Sequence, residues 1–336
     1  MGSPEAWSGI RSRAVDPTNQ RIRLALLTGS KQEEDLTDPA NCSGWGRVRH
    51  FPAEPDGLWP PNLLPALVAA KALECSSSDT SRTQLFQIAA CNLRCWYCFV
   101  DRDLLDCAPE RSRLVSPTDM VEQFMQTERP PKVVVLSGGN PGLAPEWALW
   151  TLRAMKNAGI ADRVFLWSDD NLTVSLYSEV LMPRELDELS SHRGYGAVGC
   201  FKGFDVDSFA FNTGAASGLF DTQFEVFTSL RSFLPNVYGY VTLTTPHLRN
   251  LHDRICDFVD RLQQVDANLP LRVMPLRIKE DYAPTRERMT PEREHAVHCL
   301  QHEVLAAWLA ELANRFPSSL LELPIAQVGW ASGAVR

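Results

Sequence analysis

Short apolar runs alternate with longer amphipathic stretches between residues 83 and 280. The runs predict strands, and the stretches predict helices, the first of which begins with a Ser116 cap followed by Pro117. The run at 132–136 (KVVVL) is nearly continuous, which is typical of a strand buried on both faces of a parallel sheet. The predicted strands are 85–88, 132–136, 163–167, 195–201, 237–243 and 271–278, and the predicted helices are 116–127, 144–157, 220–233, 248–265 and 291–316.

This alternation predicts an α/β fold with a parallel sheet, either doubly wound or curled into a partial barrel. In both architectures, ligands bind at the carboxyl ends of the strands. The N-terminal chain lacks the pattern: 22–27 is a predicted strand, 30–62 is loop-like because of prolines such as Pro55, and 76–81 is a polar linker. The predicted units are an N-terminal extension that wraps over the main domain (1–82), an α/β domain (83–280), and a C-terminal helix and tail (281–336).

Composition and charge narrow the range of partners. The chain has 336 residues, 44% of them hydrophobic and 22% charged, which excludes a disordered chain or a fibre. A net charge of −8 without any basic run disfavours nucleic acid and anionic membranes as partners. No signal peptide is visible, and the longest apolar run, 63–73, is interrupted by Pro65 and Lys71 and is too short to span a bilayer. We therefore expect a soluble, cytoplasmic protein.

Nine cysteines are the unusual count, and three of them are grouped. Cys91, Cys95 and Cys98 have the spacing CxxxCxxC directly after the first strand of the α/β domain. Thiolates grouped in this way bind zinc or an iron–sulfur cluster, and a reduced trio in a packed loop is a third interpretation. Structural zinc needs four ligands and no fourth is evident, whereas three cysteines around a four-iron cluster would leave one iron open.

Residues 90–99 (ACNLRCWYCF) resemble the signature loop of the radical S-adenosylmethionine (SAM) superfamily. The resemblance implies that the three cysteines hold a [4Fe-4S] cluster and that the amino and carboxylate groups of SAM chelate the fourth iron. It also implies that Tyr97 lies beside the adenine, and that the fold is a partial (β/α)6 TIM-like barrel of parallel strands with an N-terminal extension.

A glycine pair follows the strand at 132–136. Gly138 and Gly139 resemble the family's GGE motif, which contacts the SAM amino group, although a structural turn is the commoner meaning of such a pair. Asn140 stands where glutamate is usual in the family, so a backbone carbonyl or an uncharged amide would accept from the ammonium.

Other strand ends carry further candidate residues. Short polar side chains there can bond ribose hydroxyls, or form turns and helix caps. Lys202 resembles the strand-end lysine of the pyruvate formate-lyase activating enzyme branch, although a solvated lysine is the simpler interpretation of this strand end. Cys200 is the remaining cysteine most suited to face the site. We assign both residues a catalytic role. The further predicted cofactor contacts are Ser168, Asp170, Asn171, Lys202 and Thr244.

A histidine-rich face on the last helix is the one other group that resembles a metal site. His295, His298 and His302, with Cys299, share this face by their spacing. The HExxH pattern is absent, so we expect a half-exposed helix face and no auxiliary cluster.

The family resemblance implies a reaction. A reduced cluster would cleave SAM to methionine and a 5′-deoxyadenosyl radical, which takes a hydrogen atom from the substrate. We expect a small-molecule substrate, such as one of a specialised biosynthetic pathway, and an electron donor such as flavodoxin or ferredoxin. The alternatives are a protein or peptide substrate, as in glycyl-radical activation, and a non-catalytic zinc or iron–sulfur protein.

Overall fold

A computed structural model describes residues 4–51 and 55–331 of the chain. All ten strands belong to one sheet, in which six strands are parallel and the strands contributed by residues 15–50 and 112–115 are antiparallel. The strands are β1 (Val15–Asp16), β2 (Arg21–Ala25), β3 (Gly46–His50), β4 (Arg82–Ile88), β5 (Ser112–Val115), β6 (Val133–Gly138), β7 (Phe165–Asp170), β8 (Tyr195–Phe201), β9 (Val237–Thr242) and β10 (Val273–Leu276).

The parallel strands lie in chain order, β4–β6–β7–β8–β9–β10. A doubly wound sheet reverses its order at a switch point, and this one does not, so that alternative is excluded. The expected α/β fold with a mainly parallel sheet is confirmed. No described strand pairs β10 with the opposite edge, so the sheet is open.

Helices follow the strands and cover one face of the sheet. The cap predicted at Ser116 is present, since its hydroxyl accepts a hydrogen bond from the Asp119 amide at 3.1 Å. The helices are α1 (Pro4–Ala14), α2 (Leu64–Ala72), α3 (Ser77–Thr80), α4 (Pro117–Met125), α5 (Glu146–Asn157), α6 (Tyr177–Val180), α7 (Pro183–Ser190), α8 (Val206–Thr213), α9 (Leu219–Phe233), α10 (Leu251–Val265), α11 (Ala283–Arg286), α12 (Pro291–His295), α13 (Gln301–Arg315) and α14 (Ser318–Leu321), with a π-helical turn at Ala296–Leu300 joining α12 to α13.

Strand β6 shows how the sheet divides the interior. Val134 and Leu136 pack into the large core beneath the helices, whereas Val133 and Val135 belong to a smaller apolar cluster on the other face. Helix α2 supplies Leu64 to that smaller cluster and so covers the amino-terminal half of the inner face. The carboxyl half of the inner face is left for a cavity.

The expectation that 30–62 is loop-like is wrong at β3, which pairs antiparallel with β4 over five residues. This strand reads Gly-Arg-Val-Arg-His, so its inward positions carry arginine instead of apolar side chains. Hydrophobic alternation is a poor guide here because the inner face lines a polar cavity and not a packed core.

None of the described helices is long and apolar enough to cross a membrane. The cytoplasmic location stays a prediction. The division of the chain into units at residues 82 and 280 also stays a prediction. Residues 1–3, 52–54 and 332–336 of these units lie outside the described part of the chain.

Candidate active site

A cavity of about 650 Å³ opens at the carboxyl ends of the six parallel strands. Its wall includes the cysteine loop after β4, the glycine turn after β6, and the ends of β7, β8 and β10. Residues 47–51 and 56–62 of the N-terminal chain complete the wall. Among the predicted site residues, the structure brings together on this wall Cys91, Cys95, Tyr97, Cys98, Gly138, Gly139, Asp170, Asn171, Cys200 and Lys202.

Two of the three grouped thiols, those of Cys91 and Cys95, lie in surroundings that disfavour a free thiolate. Burial raises the pKa of Cys95 to about 12 and also raises the pKa of Cys91. Lys202 is close enough to lower both values in part. A neutral buried thiol becomes a thiolate when it binds a metal centre, because the positive charge of the metal replaces the lost hydration.

The spread of these thiols is too wide for one ion. Within the described chain, a single group of three His, Cys, Asp or Glu donors lies within 4.8 Å of one another, and it does not include Cys91, Cys95 and Cys98. Tetrahedral zinc with Zn–S bonds of 2.3 Å would hold its sulfurs about 3.8 Å apart. At least one pair of the three sulfurs is therefore farther apart than a single tetrahedral zinc ion requires.

Hydrogen bonds from the turn after α11 and from helix α8 hold the cysteine loop. The Arg288 guanidinium donates to the carbonyls of Cys98 at 2.8 Å and Val100 at 2.9 Å, and the Trp96 amide donates to the carbonyl of Asn212 at 3.2 Å. Buried backbone groups need such partners in a loop without secondary structure.

Tyr97 faces the cavity and is anchored from the fifth parallel strand. The Thr242 hydroxyl donates to the phenolic oxygen of Tyr97 at 3.0 Å. Thr244, the residue predicted from this strand, instead bonds Asn212 at 2.7 Å and does not line the cavity. Thr242 was identifiable in the sequence, because residues 238, 240 and 242 alternate on the inner face.

The chain packed against the turn after β6 leaves no room for a side chain at either glycine. A Cβ on Gly139 would lie 1.9 Å from the carbonyl oxygen of Ala90, and one on Gly138, where φ is +91°, would lie 2.4 Å from Gln87 Cβ. The turn after β6 thus packs directly on the chain that enters the cysteine loop. Both glycines line the cavity, so their carbonyls are within reach of a ligand.

Asn140 is buried beneath the loop and does not line the cavity. Its amide nitrogen donates to Asn92 at 3.2 Å, and its oxygen accepts from the Asn171 backbone amide at 3.2 Å. Asn171 also donates to Asn92, at 3.0 Å. The amide at position 140 therefore ties the ends of β6 and β7 to the cysteine loop.

The end of β7 presents one carboxylate that we did not predict. Asp169 lines the cavity and accepts hydrogen bonds from Ser137 at 2.5 Å and from the Trp167 indole at 3.1 Å. Ser168, which we predicted, points to the opposite face, where its hydroxyl lies 2.8 Å from that of Tyr195. Side chains alternate between the two faces of a strand, so Asp169 lies on the same inner face as Trp167, whereas Ser168 lies on the outer face.

Lys202 and Cys200 both line the cavity near the cysteine loop. Burial tends to lower the pKa of Lys202, but Cys200, Tyr97 and the loop thiols together raise it well above its usual value. Burial raises the pKa of Cys200 to about 12. At neutral pH this pair is an ammonium beside a neutral thiol.

Asp170 gives a test of the electrostatics. Burial raises its pKa to about 7, and its Oδ2 has no hydrogen-bond partner. The folded protein therefore keeps this proton where the unfolded chain has lost it, so its stabilising contribution is complete below pH 4 and is lost as the pH rises through 7. As the pH rises from 5.5 to 8.5, we expect the free energy of unfolding of Asp170→Asn to increase by about 1–3 kcal/mol relative to that of wild type. The measurement is thermal unfolding of both proteins as a function of pH. Parallel curves of stability against pH for wild type and variant would contradict the prediction. The control is Asp253→Asn, which replaces an exposed carboxylate.

The predicted histidine face does not assemble a donor group. His298 pairs with Glu280 at 3.3 Å, and the Trp59 indole donates to His302 at 3.3 Å. The three donors that do converge are His252, Cys256 and Glu311, on α10 and α13. Glu311 is already paired with Arg315 at 2.5 Å.

Comparison with known proteins gives one family. The model of the radical SAM superfamily matches residues 87–255, half of the chain. No curated protein is significantly similar in sequence. SuiB of Streptococcus suis bound to S-adenosylmethionine is similar over 53% of this chain and 36% of its own, with 14% identity and a TM-score of 0.36. TYW1 with a lysine-pyruvate adduct bound is similar over 67% of this chain and 83% of its own, with 11% identity and a TM-score of 0.38.

The family match covers the cysteine loop and the ends of strands β4 to β9, which form nearly half of the cavity wall. The chain belongs to the radical SAM superfamily, whose members are enzymes that bind a [4Fe-4S] cluster and S-adenosylmethionine.

Proposed function

We propose that this protein removes a hydrogen atom from a small organic molecule bound in the cavity at the strand ends. The observation that carries the proposal is that one cavity contains both the three grouped thiols and enough further volume for a second ligand. When bound, the cluster and SAM together supply a 5′-deoxyadenosyl radical. The protein's part is to bind, orient and exclude water.

Cys91, Cys95 and Cys98 are the proposed cluster ligands. The donor set fits this group, because three partly buried thiols can bind three irons and leave the fourth open to SAM. The wide spacing of the sulfurs and the missing fourth ligand argue against the zinc alternative.

The SAM site is proposed next to the loop. Tyr97 presents a ring held by Thr242, and the carbonyls of Gly138 and Gly139 accept from an ammonium. Asp169, whose carboxylate lines the cavity, is the proposed partner of the ribose hydroxyls. Asp170 and Asn171 also line the cavity, but Asp170 accepts from the Leu172 amide and the Asn171 side chain bonds Asn92 and Thr173. Asn140, Ser168 and Thr244 are left out of this site because their side chains are engaged away from the cavity.

Curvature of the sheet is part of the proposal. Residues from the loop after β4 and from the far strand β10, such as Cys91 and Arg277, line the same cavity. Opposite edges of a flat six-stranded sheet would be more than 20 Å apart. We therefore propose the partial (β/α)6 barrel that the family resemblance implies.

A protein or peptide substrate is the second candidate. It is favoured by the position of Lys202 on the cavity wall, which matches the strand-end lysine of the pyruvate formate-lyase activating branch. The N-terminal chain contributes Trp59 and Asn62 to the wall and so encloses part of the cavity, which favours a small molecule instead. In either case the enzyme needs an electron donor, for which we propose a flavodoxin or a ferredoxin.

The test is isotope transfer. The reconstituted enzyme is reduced anaerobically with SAM and deuterated candidate substrates, and 5′-deoxyadenosine is analysed by mass spectrometry. Deuterium from a small molecule supports the proposal, and deuterium from a labelled peptide favours the second candidate. Absence of any 5′-deoxyadenosine would overturn both.

A further inference from the structure

Two arginines on the inner face of β3 have no side-chain hydrogen bond or ion pair with the described part of the chain. Arg47 is only 6% exposed, its Nε has no hydrogen-bond partner, and neither Arg47 nor Arg49 forms an ion pair with a described residue. Burial, with a smaller contribution from Arg49, lowers the pKa of Arg47 to about 10, so it is still charged at neutral pH. A buried charge without a counter-ion is costly, so its presence calls for a function.

Four of the six other cations of the cavity wall are already engaged, and Arg102 and Lys202 are the remaining two. Arg94 pairs with Asp106, Arg277 and Lys279 pair with Asp56, and Arg288 donates to loop carbonyls. The wall carries eight Lys and Arg residues against five Asp, although the whole chain has a net charge of −8. Positive charge is thus concentrated in the one place where a ligand binds.

The two guanidinium groups are positioned side by side on the wall. Arg47 and Arg49 are opposite Leu85 and Thr83 of β4, and alternate residues of a strand are about 7 Å apart on one face. The Arg47 guanidinium lies 5.1 Å from the ring centroid of Phe99, the residue after Cys98, and that of Arg49 lies 4.5 Å from the Phe51 ring. Both oxygens of the nearby Asp169 already accept from Ser137 and Trp167.

We propose that Arg47 and Arg49 bind an anionic group of the substrate, a carboxylate or a phosphate, and so orient the substrate toward the cluster side of the cavity. This inference rests on the proposed function and specifies its substrate class. Planar guanidinium groups bind both anions through paired hydrogen bonds, and stacking on Phe99 and Phe51 holds the planes in place. The carboxylate of SAM offers the same chemistry, so the test separates the two sources.

The first measurement is anion binding to the reconstituted, SAM-loaded enzyme. Thermal stability is titrated with sodium phosphate and with sodium glutarate, against sodium chloride at equal ionic strength. We expect at least one of these anions to stabilise wild type, and Arg47→Gln and Arg49→Gln to weaken its apparent affinity about 10- to 100-fold, as expected for lost charge-assisted bonds. Arg21→Gln, which removes an exposed arginine of β2, is the matched control. No specific stabilisation of wild type, or equal responses of wild type and Arg47→Gln, would overturn the inference.

The second measurement separates substrate from SAM. If the arginines bind the substrate, Arg47→Gln keeps the wild-type Kd for SAM and the wild-type rate of substrate-free 5′-deoxyadenosine formation. A ten-fold rise in the Kd for SAM would assign the pair to the SAM carboxylate and overturn the inference. Failure of the proposed function is seen differently, as absent SAM cleavage in wild type.

A third measurement excludes a purely structural role. Because Arg47 is buried without a partner, we expect Arg47→Met to raise the Tm of the anion-free protein by about 1–3 °C. An arginine needed for packing or folding would give the reverse, and a lower Tm together with an unchanged anion response would overturn the inference.

Discussion

Replacing Cys95 with alanine is expected to abolish cluster binding and 5′-deoxyadenosine formation. Two thiols cannot hold a cluster that needs three protein ligands, and the buried site supplies no substitute donor within the described loop. The measurements are iron and sulfide content after anaerobic reconstitution, and 5′-deoxyadenosine yield after reduction. Cys91→Ala and Cys98→Ala are expected to behave in the same way.

Cys107→Ala is the matched control for this prediction. Cys107 is also buried and follows the same loop, but it lies away from the cavity. Its replacement is expected to leave iron content and SAM cleavage at the wild-type level. Wild-type cleavage by the Cys95→Ala protein would show that the cluster assignment is wrong.

Gly139→Ala is expected to cause the largest loss of stability of any single methyl addition at the site. The new Cβ would lie 1.9 Å from the carbonyl oxygen of Ala90, and this oxygen already accepts the Asn140 amide at 2.7 Å. Neither backbone can yield without moving the entry to the cysteine loop. We expect a loss of about 3 kcal/mol or more, equivalent to a fall in Tm of roughly 4 °C or more, with reduced iron content.

The control for Gly139→Ala is Gly218→Ala, because Gly218 has α-helical backbone angles and no heavy atom within 4 Å of the added Cβ. Its Tm is expected to stay within about 1 °C of wild type, since surface substitutions of this kind change stability little. If Gly139→Ala unfolds at the wild-type temperature with full iron content, the turn is more tolerant than its packing indicates.

Asn140 illustrates the difference between a motif and its environment. By position it resembles the acidic residue of a SAM-binding motif, and on that basis we predicted cofactor contact. In the fold its amide bonds Asn92 and the Asn171 backbone, which join strand ends and the cysteine loop. These partners are 48 and 31 residues away in the chain, so no local pattern could indicate them.

The sequence by itself determined the α/β class, the six parallel strands and the candidate cluster loop. These features are local: a buried strand appears as a continuous apolar run, and three thiols within eight residues lie on one loop. Only the tertiary structure decided which polar side chains face the cavity, as with Asp169 instead of Ser168, and it alone identified β3 as a strand. The physical reason is that strand alternation decides on which face of the sheet a side chain lies, and that the elements covering this face decide what the side chain contacts. On the inner face of this sheet, an arginine such as Arg47 indicates a ligand cavity, whereas an apolar residue would indicate a packed core.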